Sequence, residues 1–348
     1  MIIRVALIGY GLSGRVFHAP LIDATPGFEL AAIVSSRQDE IAAAYPGVAV
    51  ATAEAVFADP GIDFVVVATP NGSHFDLAAR ALKSGKHVVV DKPFALTAAE
   101  ARQLIELARG RLLSVFHNRR WDGDFLTLKT LLQDGTLGEV ATMESRFDAY
   151  RPVVRDRWRE RAGPATGTWY DLGAHLIDQA VQLFGLPKAL YADLAALRPG
   201  ALTTDYFRVL LRYETVRVVL AGDCMAPTAM RFVVHGSRAS FIKRGLDPQE
   251  PHLAAGLRPG DAAYGVETNP AQLVTAAGSE RPMAITRGNY RAYYEGVRDA
   301  LRGLLPLPVT TGEALVVMEL LEAAQQSAAS GLEVAIGPGA SRVIRSVG

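Results

Sequence analysis

Cysteine is nearly missing: Cys224 is the one thiol in 348 residues. That excludes an intrachain disulfide and a cysteine zinc cluster. Net charge is missing too, since Lys plus Arg and Asp plus Glu each number 36. No basic field remains to hold a polyanion regardless of its sequence, which argues against nucleic acid as a partner. Metal-ligand spacing is absent as well. The seven histidines form neither H-x-x-x-H nor H-E-x-x-H, so no metal is expected. Long apolar runs do not occur. The opening "MIIRVALIGYGLSG" has only a short apolar stretch, far below the roughly 20 residues that span a bilayer. It shows no charged leader with a cleavage site. A soluble, cytoplasmic protein with no membrane partner is expected.

What is present suits ordinary globular cores: 49% hydrophobic and 21% charged residues. At roughly 150 residues per domain the length suits two domains. The first 120 residues alternate apolar runs with helical patterns. Strands are predicted over 2–9, 28–35, 62–70, 86–93 and 112–118, helices over 12–24, 38–44, 73–84 and 97–109. Several of the runs are continuously apolar and β-branched, as parallel strands covered on both faces are. Ser73 and Thr97 stand at helix N-cap positions, and Glu100 follows Thr97 at capping-box spacing. An α/β Rossmann-type domain over 1–120 is the expectation.

Beyond residue 120 the rhythm changes. A helix is predicted over 123–134, a strand over 139–150, an arginine-rich loop over 151–166 and a helix over 169–184. Then "KALYADLAAL", "YFRVLLRY", "VRVVLAGD", "MRFVVHG" and "ASFIKR" follow as strands joined by short turns. They imply an α+β domain over 121–348 with a mostly antiparallel open sheet. The Gly- and Pro-rich stretch 245–282 reads as a long excursion, and helices return over 287–303 and 311–329. The last helices are free to pack back on the first domain.

"GYGLSG" carries Gly9, Gly11, Leu12, Ser13 and Gly14 between a strand and a helix. In that context G-x-G-x-x-G binds a dinucleotide. Gly9 permits the tight turn, Gly11 lets the backbone approach a pyrophosphate, and Gly14 brings helix close to strand. The helix N-terminus then meets the phosphates. "DKPF" places Lys92 at the carboxyl end of a buried strand, where α/β sheets bind ligands. A surface lysine in a loop would read the same way. The Lys92–Pro93 bond is one that can be cis. In "TWYDLGAHLIDQ", Asp171 and His175 are four apart and share a helix face with Asp178 and Gln182. A solvated polar stripe fits that pattern too.

Taken in order, "GYGLSG", "ATPNGSH", "DKPF", "NRRWD" and "GTWYDLGAHLIDQ" resemble the glucose–fructose oxidoreductase/inositol dehydrogenase (Gfo/Idh/MocA) family over nearly the whole chain. "GYGLSGRVFHAPLI" and "RDRWRERAGP" look most like its NADP-dependent scyllo-inositol 2-dehydrogenase branch. Asp91 stands where the family usually has Glu, and the glycines before Asp171 thin to Gly163 and Gly167.

The resemblance implies Lys92, Asp171 and His175 as a catalytic trio for hydride transfer between nicotinamide C4 and a secondary alcohol or ketone of a cyclic polyol or sugar. His175 is then the base, Lys92 the partner of the developing oxyanion, and Asp171 the orienter. Thr69, Asn71 and His74 are expected beside the nicotinamide, together with Lys92. Asn118, Arg119, Tyr150, Arg157, Trp158 and Tyr170 are the candidate substrate-binding residues. The five arginines of "YRPVVRDRWRER" also suit a phosphate or carboxylate on the substrate, or a subunit contact. The resemblance further implies a homodimer or higher homo-oligomer, paired through the open sheet face. Two other readings stay open: an enzyme of this plan acting on another sugar, a dihydrodiol or an imine, and a dinucleotide-binding regulator without catalysis.

One departure bears on the cofactor. About 20 residues after Gly14, NAD-binding chains place an acid that takes the ribose hydroxyls. Here Ser35, Ser36 and Arg37 stand instead. An acid would repel a 2′-phosphate, whereas Ser36 can hydrogen-bond it and Arg37 can pair with it. NADP in preference to NAD is expected, although Arg37 also fits an ordinary solvated helix start.

Overall fold

The computed structural model describes residues 2–227 and 230–337. The chain forms two compact units. One holds the residues through Trp121 with Pro248–Gly265 and Asn289–Leu315; the other holds Asp122–Asp247, Val266–Gly288 and the residues from Val316 onward.

The first unit is built on a parallel sheet of six strands: β1 (Ile3–Ile8), β2 (Phe28–Val34), β3 (Ala49–Val50), β4 (Phe64–Val67), β5 (His87–Val90) and β6 (Leu113–Val115). Their order, β3-β2-β1-β4-β5-β6, reverses direction between β1 and β4. That reversal is the switch point at which doubly wound sheets bind ligands. All four residues of β4 are buried, as a strand covered on both faces requires. Fully burying each of its valines contributes about 1.5–3 kcal/mol.

The helices predicted over 38–44, 73–84 and 97–109 are Gln38–Ala44, His74–Lys83 and Ala98–Leu107. Thr97 caps its helix, accepting from the Glu100 amide at 3.1 Å, while the Glu100 carboxylate takes the Leu96 amide at 2.9 Å. Ser73 does not cap. Its hydroxyl is drawn to Thr69 Oγ1 at 2.7 Å and the Pro70 carbonyl at 2.8 Å. The helix predicted over 12–24 opens as a π-helix, Gly14–His18, before α-helix Ala19–Asp23. Later segments complete this unit. Gln249 donates to the Trp121 carbonyl at 2.9 Å and accepts from the Tyr290 amide at 2.6 Å and the Tyr264 hydroxyl at 3.0 Å. Tyr290, Tyr293 and Tyr294 join the core built on β1, β2 and β4.

The second unit carries nine strands: β7 (Val140–Arg146), β8 (Ala189–Ala195), β9 (Tyr206–Arg212), β10 (Arg217–Asp223), β11 (Met230–Gly236), β12 (Ala239–Arg244), β13 (Ala271–Thr275), β14 (Glu280–Met283) and β15 (Val334–Ala335). Their order is β14-β13-β12-β11-β7-β10-β9-β8-β15. Every pairing is antiparallel except β7 with β10. The excursion read over 245–282 therefore contains β13 and β14, which the Gly and Pro content hid, and a short helix, Gln249–Ala254. Arg231 on β11 is buried, reaching Asp124 at 3.3 Å and Gln179 at 2.5 Å, so the helices Gly123–Gln133 and Ala174–Phe184 are tied to one sheet face. Tyr191 and Leu210 are exposed on the strands. No helix among the described residues is long and apolar enough to cross a membrane.

Candidate active site

At the carboxyl ends of β1, β2, β4 and β5 the predicted cofactor residues lie in the order in which the strands are laid. Gly9 ends β1 with φ +105°, a conformation that favours glycine. A Cβ there would meet the Ala68 carbonyl oxygen at 2.5 Å and Thr69 Cγ2 at 3.0 Å, so the glycine turn is packed on the loop after β4. Gly14 lies under the same turn, with a Cβ position 2.0 Å from the Gly9 oxygen. Gly11 is different: nothing lies within 4 Å of its Cβ position. That open side of the turn is the cradle a pyrophosphate needs, so the residues present fit a dinucleotide. Leu12 is exposed beside it, and Ser13 leads into the π-helix.

After β2, Ser36 and Arg37 are exposed. The Arg37 amide donates to Ser35 Oγ at 3.2 Å, and its guanidinium pairs with Glu40 at 3.1 Å. No acid interrupts this edge until Asp39 and Glu40 enter the helix.

After β4, Asn71 is buried at the start of a short 3-10 turn. His74 is buried and bridges two loops: Nε2 lies 2.9 Å from the Thr69 carbonyl and Nδ1 2.9 Å from the Pro93 carbonyl. Burial pushes its pKa below the ordinary histidine value, against the attraction of Asp91. After β5, the Lys92–Pro93 peptide is cis. Lys92 itself is half-buried, and its backbone amide donates to Asp91 Oδ1 at 2.8 Å.

Asn118 and Arg119 belong to a short 3-10 turn of this unit and are buried. Arg119 is committed to Glu250 at 2.8 Å and the Tyr290 hydroxyl at 3.3 Å.

In the second unit the helix predicted over 169–184 begins as a π-helix, Trp169–Gly173, and continues as Ala174–Phe184. The wide turn makes room for Trp169. Its indole donates to the Leu321 carbonyl at 3.1 Å, and its ring covers Gly173, where a Cβ would lie 2.3 Å away. Asp171 falls in the π turn and His175 in the first α turn. Such π segments recur at functional sites, and both found among the described residues coincide with predicted site residues. A fully solvated stripe does not hold: His175 and Asp178 are buried, while Asp171 and Gln182 are partly exposed.

Arg159 stands 3.4 Å from the Asp171 carboxylate, its guanidinium over the Trp158 ring at 4.6 Å. Arg157 is paired with Glu160 at 2.6 Å. Arg151, Arg157, Arg159, Thr168 and Asp171 line a small recess within this unit. Tyr150 is 60% exposed, whereas Tyr170 is buried and donates to Gln325 at 2.8 Å. Burial, with Glu322 nearby, pushes the Tyr170 hydroxyl up to about 12, so it remains a donor.

These features are those of a known family. Residues 3–118 match the pattern described as "Oxidoreductase family, NAD-binding Rossmann fold", and residues 129–336 match its C-terminal alpha/beta domain. The chain belongs to the Gfo/Idh/MocA oxidoreductases. It is 53% identical over 333 residues to the uncharacterized oxidoreductase YdgJ of Escherichia coli, covering 94% of this chain and 96% of that one. It is 41% identical over 334 residues to the scyllo-inositol 2-dehydrogenase (NADP(+)) IolW of Bacillus subtilis, covering 93% of each. A Yersinia pestis protein of known structure superposes with a TM-score of 0.93 at 48% identity, covering 97% of both chains.

Within this Gfo/Idh/MocA chain three further residues contact candidate residues of their own unit, without a clear signal in the sequence. Arg159 was visible only as one arginine among five. Glu40 stands three residues after Arg37, a helical spacing that signals a pair. His18, from "GRVFHAPLI", contacts Asp91, and no local spacing announces that.

Proposed function

We propose that this oxidoreductase moves a hydride between NADP and a secondary alcohol or ketone of a cyclic polyol or sugar, scyllo-inositol-like in class, in the cytoplasm. The observation that carries the reading is the order of groups along one sheet edge. Arg37 follows β2, the glycine turn follows β1, Thr69 and His74 follow β4, and Lys92 follows β5. Three strand spacings, roughly 14 Å, separate the arginine's strand from the lysine's. A dinucleotide laid across the glycine turn thus has a cation at its 2′-phosphate end and a lysine at its nicotinamide end. The name of IolW, which specifies NADP and scyllo-inositol, supports the same cofactor and substrate class.

The nicotinamide, when bound, supplies hydride acceptance and donation. The chain does the rest. His175 takes the proton of the substrate hydroxyl in oxidation and returns it in reduction. Lys92 hydrogen-bonds the same oxygen and stabilises its negative charge. Asp171, itself held by Arg159, orients the imidazole and offsets its charge. Trp158 and the exposed Tyr150 offer apolar walls to a hydroxyl-rich ring, and Arg157 and Arg159 offer donors. The Tyr191 and Leu210 face is where we place a second copy of the chain, with light scattering as the check.

A turnover panel tests the reading: several inositols, aldoses, ketoses, dihydrodiols and imines, each with NADP(H) and NAD(H). We expect inositol-class turnover that favours NADP. Preference for an imine or a dihydrodiol would replace the substrate assignment. Cofactor binding with no turnover on any of them would favour a regulator.

A further inference from the structure

We propose that His18 is a positioning residue for Lys92: held between Tyr294 and Phe116, it faces and fixes the Asp91 carboxylate that ties the glycine turn to the lysine's backbone. The inference rests on the assignment of Lys92 made above and deepens it.

His18 has no exposed surface and closes the π-helix that follows the glycine turn. Its Nδ1 lies 2.6 Å from the Tyr294 hydroxyl and its Nε2 3.6 Å from Asp91 Oδ2. Phe116 packs on the ring at 4.4 Å between centroids, which leaves little freedom to turn. The Tyr294 hydroxyl can donate to Nδ1 or accept from it. On the other side, a proton on Nε2 faces the carboxylate, whereas a bare Nε2 would set a lone pair against a negative charge.

Asp91 gathers groups from three places. Oδ1 accepts the Lys92 amide at 2.8 Å, the Ser13 hydroxyl donates to the carboxylate, and His18 faces Oδ2. Burial alone would raise the Asp91 carboxyl. His18, Lys92 and Ser13 outweigh that and hold it well below the usual carboxylate range, so it stays charged. A buried carboxylate needs such partners. With the imidazole gone, Asp91 loses the contact that holds Oδ2 and is free to turn, and the Lys92 backbone turns with it. An ångström of displacement at a reacting group costs about a hundredfold in rate.

The test has two arms on the full chain. In the first, histidine-labelled protein is examined by nitrogen NMR. We expect Nε2 of His18 to carry a proton in the wild type. An unprotonated Nε2 overturns the proposal. In the second arm, His18→Phe keeps the ring on Phe116 but removes both nitrogens. Turnover should fall about tenfold to a hundredfold, with KM for NADP changing less. His18→Gln restores a donor toward Asp91 and should recover most of the loss. If the Phe variant works normally, or if the Gln variant loses as much as the Phe variant, the positioning role is refuted. Absence of turnover in the wild type on every substrate would remove the reading of the reaction, and the NMR arm would still decide the case of His18.

Discussion

One guanidinium nitrogen of Arg37 lies 3.1 and 3.3 Å from the two carboxylate oxygens of Glu40, three residues on in the helix. Both side chains are about half exposed, so the pair contributes about 0–1 kcal/mol. That is weak enough for a phosphate to displace the carboxylate. Arg37→Ala should therefore weaken NADP by about tenfold or more and leave NAD nearly untouched. Glu40→Gln should act in the other direction, strengthening NADP by about twofold to fivefold. Fluorescence titration of both cofactors against each variant checks this. An equal loss for NADP and NAD in Arg37→Ala would show that Arg37 does not read the phosphate.

Lys92→Ala and His175→Ala should each lower turnover by about a hundredfold to ten-thousandfold while cofactor still binds. The two residues come from different units of the chain. Steady-state kinetics beside cofactor titration separates the two effects. Near-normal turnover in either variant removes that residue from the reaction.

Much of the site was legible because dinucleotide binding is local. The G-x-G-x-x-G of Gly9, Gly11 and Gly14 binds through one turn, and apolar runs such as Phe64–Val67 announce buried parallel strands without help from distant residues. What failed to show depends on distance or on tertiary override. The π turns at Gly14–His18 and Trp169–Gly173 keep an ordinary helical pattern in sequence, and the close packing of Gly14 on Gly9 and of Trp169 on Gly173 that accompanies them is tertiary. Ser73 had the right position for a cap, but Thr69 and Pro70 compete for its hydroxyl. The tie of Arg119 to Glu250, 131 residues away, has no local signature. The strands β13 and β14 were masked by glycine and proline in a segment whose order comes from pairing with β12.

The glycine turn gives a prediction that separates folding from binding. Gly14→Ala places a Cβ 2.0 Å from the Gly9 backbone oxygen, which cannot move without opening the turn. That overpacking should cost about 1–3 kcal/mol and lower the melting temperature. Gly11→Ala meets nothing within 4 Å and should leave stability unchanged or slightly raised, since Gly→Ala stiffens the unfolded chain. Cofactor affinity should nevertheless fall in Gly11→Ala, because the new methyl occupies the space left for the pyrophosphate. Calorimetry with cofactor titration reads both quantities. If Gly11→Ala bound NADP normally, the cradle would have to lie elsewhere.

Acid should loosen the first unit through His87. Its Nδ1 accepts the Leu112 amide at 2.9 Å, which requires that nitrogen unprotonated, and burial, reinforced by Arg111, pushes its pKa below the ordinary histidine value. The unfolded chain takes up this proton near the ordinary value, about 6.5, while the folded chain resists it. The unfolded state thus binds more protons below about pH 6.5, and there stability rises with pH. The contribution is fully present above the unfolded value and is lost as pH falls through it toward the folded one. His74, depressed by its own burial, adds to the same trend. The melting temperature of the wild type should fall between about pH 7.5 and 5.5, and His87→Gln, which cannot titrate, should show a shallower fall. Parallel slopes for the two proteins would mean that His87 has the same proton affinity folded and unfolded, contrary to the Leu112 bond.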